Sequence, residues 1–266
     1  MQIILLYLAC GTAAGFFSGL LGIGGGLVVV PLLSVVFSSQ GLIDPELAMH
    51  LTIGTSLSSI LFTSISSSRS HAGRGSVLWN YIRIMGPATA VGTLMGVLLA
   101  SFLSSFGLKA FFTIFIFAVG TQMLLDFYPK ASGVVPGKKI LYPAGIAIGA
   151  VSSLVGLGGG SLSVPFMRWA GSDMRQAIGT SAALAWPIAI AGTIGYILIG
   201  WNMPGLPPYS LGYVNIPAML GIACTSVFFA PLGVKLSHAL PVNILHKIFA
   251  IFLYITAARM LWGMLH

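Results

Sequence analysis

The sequence predicts an all-α polytopic membrane protein made of two inverted repeats. Each repeat is a Gly-rich broken or re-entrant helix pair followed by three transmembrane helices. Three observations carry this. The chain is 57% hydrophobic and only 6% charged, with a mean hydropathy of +1.00, whereas a soluble domain carries about 25% charged residues. A 17-residue phrase occurs twice: GFFSGLLGIGGGLVVVP at 15–31 and GAVSSLVGLGGGSLSVP at 149–165, with nine identical positions and an offset of 134 in 266 residues. The Lys and Arg residues, finally, fall into loops in a pattern that fits one topology much better than its rival.

The elements follow in order. Residues 3–37 form an apolar stretch interrupted by Gly24-Gly25-Gly26 and Pro31. It is too long for one span of about 20 residues and slightly short for two. A pair of short or half-length helices meeting at the glycines is expected. Spans follow at 47–66, 78–103 and 108–126. The segment from Asp126 to Lys139, DFYPKASGVVPGKK, clusters Pro, Gly and charge, which marks a linker. The plan then repeats: 140–167 is interrupted by Gly158-Gly159-Gly160 and Pro165, and spans follow at 176–200, 211–234 and 243–264. The domains are therefore repeat one at 1–126, a cytoplasmic linker at 127–139 and repeat two at 140–266.

The loops decide how the interrupted segments are counted. If each crosses once, Arg69, Arg74, Arg83, Lys130, Lys138, Lys139 and Arg259 lie inside, seven of the twelve Lys and Arg. If each enters and returns to the same side, ten lie inside and only Lys109 and Arg259 outside. The second count fits the positive-inside rule far better. It also leaves the loop at 201–210, which has no Lys or Arg, on the outside with Asp44 and Glu46. Repeat one then starts outside and repeat two inside, an inverted arrangement found in many secondary transporters. A parallel arrangement of the repeats stays open. Both termini are expected on the periplasmic side of a bacterial inner membrane. Met1-Gln2 supplies no positive n-region, so the start does not read as a signal peptide.

In a bilayer, Gly- and Pro-interrupted backbone survives only where protein or a water-filled cavity surrounds it. Such segments in corresponding places of two halves point to a binding site. Glycine allows positive φ and lets N–H groups converge without a Cβ in the way. The half-helix after each cluster offers free N–H groups and a positive dipole end to an anion. Ser161 adds a hydroxyl where repeat one has Leu27. The same glycines could instead only permit close helix packing.

A second repeated phrase, Ile53-Gly54-Thr55-Ser56 and Ile178-Gly179-Thr180-Ser181, starts the next helix in each half. Its hydroxyls can donate to an oxyanion or bond back to their own helix. His50 stands near a span entry and can titrate near neutrality. His238 and His246 read as interfacial histidines of an inner loop. Arg168 and Arg175 flank the second interrupted segment, where they could draw an anion into a vestibule or simply set topology.

Other classes are disfavoured. The net charge of +8 could suggest nucleic acid, but no basic run with interleaved aromatics is present. Asp44, Glu46, Asp126 and Asp173 all lie in loops or at span ends, so no carboxylate is placed for a proton relay through the membrane. No Ser–His–Asp, Cys–His or metal-spaced set lies in the spans, so no enzyme activity, catalytic residue, metal or cofactor is expected. Cys10 and Cys224 occupy non-equivalent places in apolar segments. They read as packing residues, with a membrane sulfur relay as the alternative.

The phrases SGLLGIGGGLVVVPLL and SSLVGLGGGSLSVPFM, with the GTS after each, resemble the TauE/SafE sulfite-exporter family. The resemblance covers essentially the whole chain, including its length and two-half plan. It implies a permease exporting sulfite or an organosulfonate such as sulfoacetate. The substrate site would use Gly24, Gly25, Gly26, Gly158, Gly159, Gly160 and Ser161 with Thr55, Ser56, Thr180 and Ser181. A permease for a different small anion is the nearest alternative. The expected partners are the small anion and the lipid bilayer, with a homodimer left open.

Overall fold

A chain with so few charged side chains can satisfy its backbone in lipid only by forming helices or a closed barrel, and its long apolar runs favour helices. The computed structural model describes residues 2–22, 24–39, 44–127, 136–239 and 242–265. The first half folds as α1 (Gln2–Leu21), α2 (Gly26–Ser39), α3 (Pro45–Ala72), α4 (Trp79–Ala100) and α5 (Ser105–Leu124). The second folds as α6 (Lys138–Val155), α7 (Gly160–Trp169), α8 (Met174–Ile199), α9 (Ile216–Ala239) and α10 (Val242–Leu265). Among the described residues eight helices are long and apolar enough to cross a membrane. The all-α, polytopic architecture expected from composition is present.

Two details differ from expectation. The interrupted segments are unequal pairs: α1 and α6, with 20 and 18 residues, are of spanning length, whereas α2 and α7 have 14 and 10. Only the second member of each pair is short. A small antiparallel hairpin also precedes α9, pairing β1 (Ser210–Leu211) with β2 (Val214–Asn215). Most of the linker, residues 128–135 with Lys130, lies outside the described residues, as do 40–43 of the α2–α3 connection.

Capping accounts for two of the carboxylates. Asp44 accepts from the Glu46 N–H at 2.9 Å and starts α3, with Pro45 in the first turn. Asp173 accepts from the Gln176 N–H at 2.8 Å and starts α8. Each acid satisfies an N–H that the helix leaves without an internal partner.

Close contacts fix the helix directions. Gly11 faces Ile222, Gly15 faces Ser226 and Gly19 faces Ala230, so α1 and α9 run parallel. Gly92 faces Ile146 and Gly96 faces Ala150, so α4 and α6 run parallel. By contrast Gly54 lies against Tyr196, Leu57 against Gly192 and Ser76 against Gly179, so α3 and α8 are antiparallel. Lys109 meets Gly263 and Thr121 meets Tyr254, which makes α5 and α10 antiparallel too. The glycines on these seams let helix backbones touch, the packing that membranes favour in place of hydrophobic burial. At Gly15 the place of a Cβ is only 2.6 Å from Ser226 Cα.

These directions place α3, α5 and α9 finishing, and α4, α6, α8 and α10 beginning, at one end of the bundle. Every described Lys and Arg lies towards that basic end except Lys109 and Arg259. α2 turns back towards the other end, because Ser38 shares a cavity wall with Lys109 and Gly263. α7 turns back towards the basic end, where Arg168 donates to the Ser172 carbonyl at 3.0 Å just before α8. The central helices α3 and α8 are the most enclosed, and both glycine turns lie against them.

Candidate functional site

The two glycine turns meet in the interior. A Cβ on Gly24 would stand 2.9 Å from Gly158 Cα, and one on Gly158 would stand 3.1 Å from Gly24 Cα. The turns arise because Gly22, Gly24 and Gly25 take φ values of 68°, 78° and 79°, and Gly156 and Gly159 take 71° and 83°. Residues with a Cβ rarely adopt that region. Gly156 ends α6 as a left-handed cap. Helical bonding resumes only beyond the turn, where the Val28 and Leu162 N–H groups donate to Gly25 and Gly159. The N–H groups of Gly26, Leu27, Gly160 and Ser161 therefore precede the first intrahelical acceptors, at the positive ends of α2 and α7. α2 and α7 lead away from this meeting point towards opposite ends of the bundle.

The second repeated phrase braces this arrangement, each half holding the other. Ser56 Oγ donates to the Gly156 carbonyl at 2.9 Å, and Ser181 Oγ donates to the Gly22 carbonyl at 2.8 Å. Ser163, on α7, donates to Ser181 Oγ at 2.9 Å. Thr55 Oγ1 accepts the Asn215 N–H at 2.9 Å, and Thr180 Oγ1 accepts the Leu78 N–H at 3.0 Å. Asn215 and Leu78 are the residues just before α9 and α4. Gly54 and Gly179 let α3 and α8 approach those same connections, at Tyr213 and Ser76. Thus all four hydroxyls of the phrase hold backbone in place.

Ser161 differs. It is buried, in the first turn of α7, and its Oγ has no hydrogen-bond partner among the described residues. It faces a small space of about 10 Å³, room for about one water. Gln122 and Met123 of α5, Leu21 of α1 and His246 of α10 line the same space. Ser18 of α1 is a second buried hydroxyl without a partner among the described residues. A buried polar group left this way costs about 1–3 kcal/mol, so such groups mark places where a ligand could bond.

The other singled-out residues, His246 excepted, lie apart from the turns. His50 is buried on α3, with Nε2 3.0 Å from the Ala100 carbonyl and its ring stacked on Tyr213 at 5.2 Å. It lines a separate cavity of about 600 Å³ with Glu46 and Met203. Arg168 ties the α7–α8 connection, and Arg175 reaches the His238 carbonyl at 3.5 Å. Cys10 is buried and Cys224 exposed. His246 is not interfacial: it is 2% exposed, with Nδ1 3.8 Å from Asp126 Oδ1. Tertiary packing puts it inside because α10 seats its first turns against the end of α5.

Several residues of the site were not singled out from the sequence. Gly22 and Gly156 accept the two bracing bonds, and both stand at one position of the repeated phrase. Ser18 also stands at a position where the second copy has serine, Ser152. Those identities were a usable signal. Gln122 carried none, and His246 was named only as an interfacial histidine, since both reach the site from helices remote in sequence.

Polytopic helices around two facing broken-helix turns define a class, the multi-span membrane transporters. Residues 7–260 match the sulfite exporter TauE/SafE family, and the chain belongs to it. A probable membrane transporter protein of Haemophilus influenzae is 37% identical over 97% of both chains. One of Methanocaldococcus jannaschii is 29% identical over 88% of this chain and 86% of its own length. One of Bacillus subtilis is 27% identical over 95% and 96%. No solved structure matches.

Proposed function

We propose that this transporter exports a small sulfur oxyanion such as sulfite, or an organosulfonate such as sulfoacetate. The anion binds where the N-termini of α2 and α7 converge. The observation that carries this reading is the contact between Gly24 and Gly158 with a helix start beside each. Two positive helix ends can hold oxygens with N–H donors and no buried full charge. Gly24, Gly25, Gly26, Gly158, Gly159, Gly160 and Ser161 form the contact surface. Thr55, Ser56, Thr180 and Ser181 hold that surface in shape.

The two repeats are inverted, a reading supported by the antiparallel runs of α3 with α8 and α5 with α10. Both termini and the end holding Lys109 and Arg259 face the periplasm, and the linker faces the cytoplasm. The concentration of Lys and Arg at the other end supports this. An interior-negative potential favours anion exit by about 2.3 kcal/mol per charge per 100 mV, so export needs no coupling ion.

Efflux from proteoliposomes across sulfite, thiosulfate, sulfate, sulfoacetate and taurine tests the reading. Saturable flux of sulfite or sulfoacetate, with counterflow, is expected. Flux of sulfate alone, with none of sulfite or sulfoacetate, would redirect it to another small-anion permease. Flux of none of the panel would end it.

A further inference from the structure

Lys109 and Arg259 lie at the end of the bundle that the other described basic residues avoid. Lys and Arg at that end oppose the usual orientation signal. The antiparallel packing of α5 on α10 brings both to the wall of one cavity of about 510 Å³. α2 closes the third side with Pro31, Ser34 and Ser38. No carboxylate side chain lines it among the described residues. Lys109 Nζ donates to the Gly263 carbonyl at 3.2 Å, near the end of α10. An ammonium carries three donors, so this bond does not exhaust it. The rest of the wall is largely apolar, which lowers the local dielectric and strengthens the field of the two cations.

The related place in the other half makes a contrast. At an offset of 137, where Leu108, Phe112 and Met123 of α5 match Leu245, Phe249 and Met260 of α10, exchanging the halves carries the Lys109–Gly263 contact onto His246–Asp126. The same exchange carries Arg259 onto Gln122 and Met260 onto Met123. Gln122, Met123 and His246 line the small space beside Ser161. The larger cavity thus has two strong bases where the smaller one has a glutamine and a histidine.

We propose that the cavity between α2, α5 and α10 is an oxyanion-binding vestibule, charged by Lys109 and Arg259 and beside the half-helix that leads from the Gly24–Gly26 turn. It rests on the reading that the cargo is anionic. The ligand is a tetrahedral or pyramidal S–O or P–O oxyanion. A free sulfonate and the phosphate of an anionic lipid both present that chemistry.

The test introduces Ser34→Cys into a Cys10→Ala, Cys224→Ala background in phosphatidylcholine nanodiscs. The rates of modification by an anionic and a cationic methanethiosulfonate reagent are compared. The anionic reagent should be favoured, and Lys109→Gln with Arg259→Gln should lower the ratio about tenfold. Methanesulfonate should slow modification in the parent and not in the neutralised variant. Arg259→Gln alone, with Arg259→Lys restoring the ratio, covers the case where the double variant does not fold. Adding phosphatidylglycerol separates the sources: protection equal to that of methanesulfonate assigns the vestibule to lipid phosphate, and no added protection assigns it to free anions. A ratio unmoved by neutralisation, or no protection by methanesulfonate, overturns the proposal. The assay needs no flux, so a failure of sulfur-anion transport registers separately.

Discussion

Ser161 and Ser181 are both buried serines near the α7 turn, yet their hydroxyls have opposite situations. Ser181 donates to Gly22 and accepts from Ser163, while Ser161 has no partner among the described residues. Ser161→Ala should therefore raise the unfolding midpoint, or at least not lower it, and raise the KM for the transported anion about tenfold, the worth of one hydrogen bond of about 1.4 kcal/mol. Ser181→Ala should do the reverse first, lowering stability by about 1–3 kcal/mol. Flux kinetics beside a denaturation curve separate the two. Gly159→Ala adds a Cβ at φ 83°, 2.7 Å from Ile188 Cδ1, and should reduce flux while the protein still inserts. Normal flux in that variant would leave the glycine a packing residue only. At this scale the sequence made Ser161 visible because its counterpart, Leu27, breaks the repeat. The bracing role of Ser56 and Ser181 was not visible, since a hydroxyl's partner across 100 or 159 residues is a tertiary fact.

Among the elements, α1 and α9 depend on glycine rather than on greasy side chains. Gly11, Gly15 and Gly19 recur every fourth residue along the seam, and small residues at that spacing let helix backbones meet. Gly15→Leu should force the helices apart and lower the unfolding midpoint more than any single bracing serine does. Leu98→Ala, at an exposed position of α4, should by contrast have little effect. Spans were legible from hydropathy, because lipid tolerates little but apolar helix. The full length of α1 and α6 was not, because the apolar run continues through the turn with no polar break. The β1–β2 hairpin was hidden by its brevity: two residues a strand leave no alternating pattern. Nor could the partners α1–α9 and α4–α6 be read, since chain order does not order helices in space.

For the molecule as a whole, the loop charges carried most of what was legible. The division of Lys and Arg between ends, argued from loops alone, reappears in the helix directions. Single-cysteine labelling should find Gly137→Cys reactive from the cytoplasm and Pro208→Cys from the periplasm. Gly137→Cys reacting from the periplasm would reverse the assigned orientation. Driving force is tested at the same scale. Flux in proteoliposomes should follow an imposed potential without a pH gradient, and should survive His50→Gln and His246→Gln. Flux that responds only to a pH gradient, or that vanishes in either variant with folding intact, would make the protein proton-coupled. His246 belongs in that test because its contact with Asp126 gave no sign in the sequence.

Ser56 and Ser181 each steady a turn synthesised in the opposite half of the chain. Gly22 waits for a hydroxyl that leaves the ribosome 159 residues later. Until then the first hairpin sits in the membrane without its brace, and a chain terminated after α5 never acquires it. Such a fragment is a natural target for membrane proteolysis. Conversely, cleavage between the halves of the finished protein leaves each turn still held by the other piece, so a nicked molecule should stay assembled where a truncated one is lost.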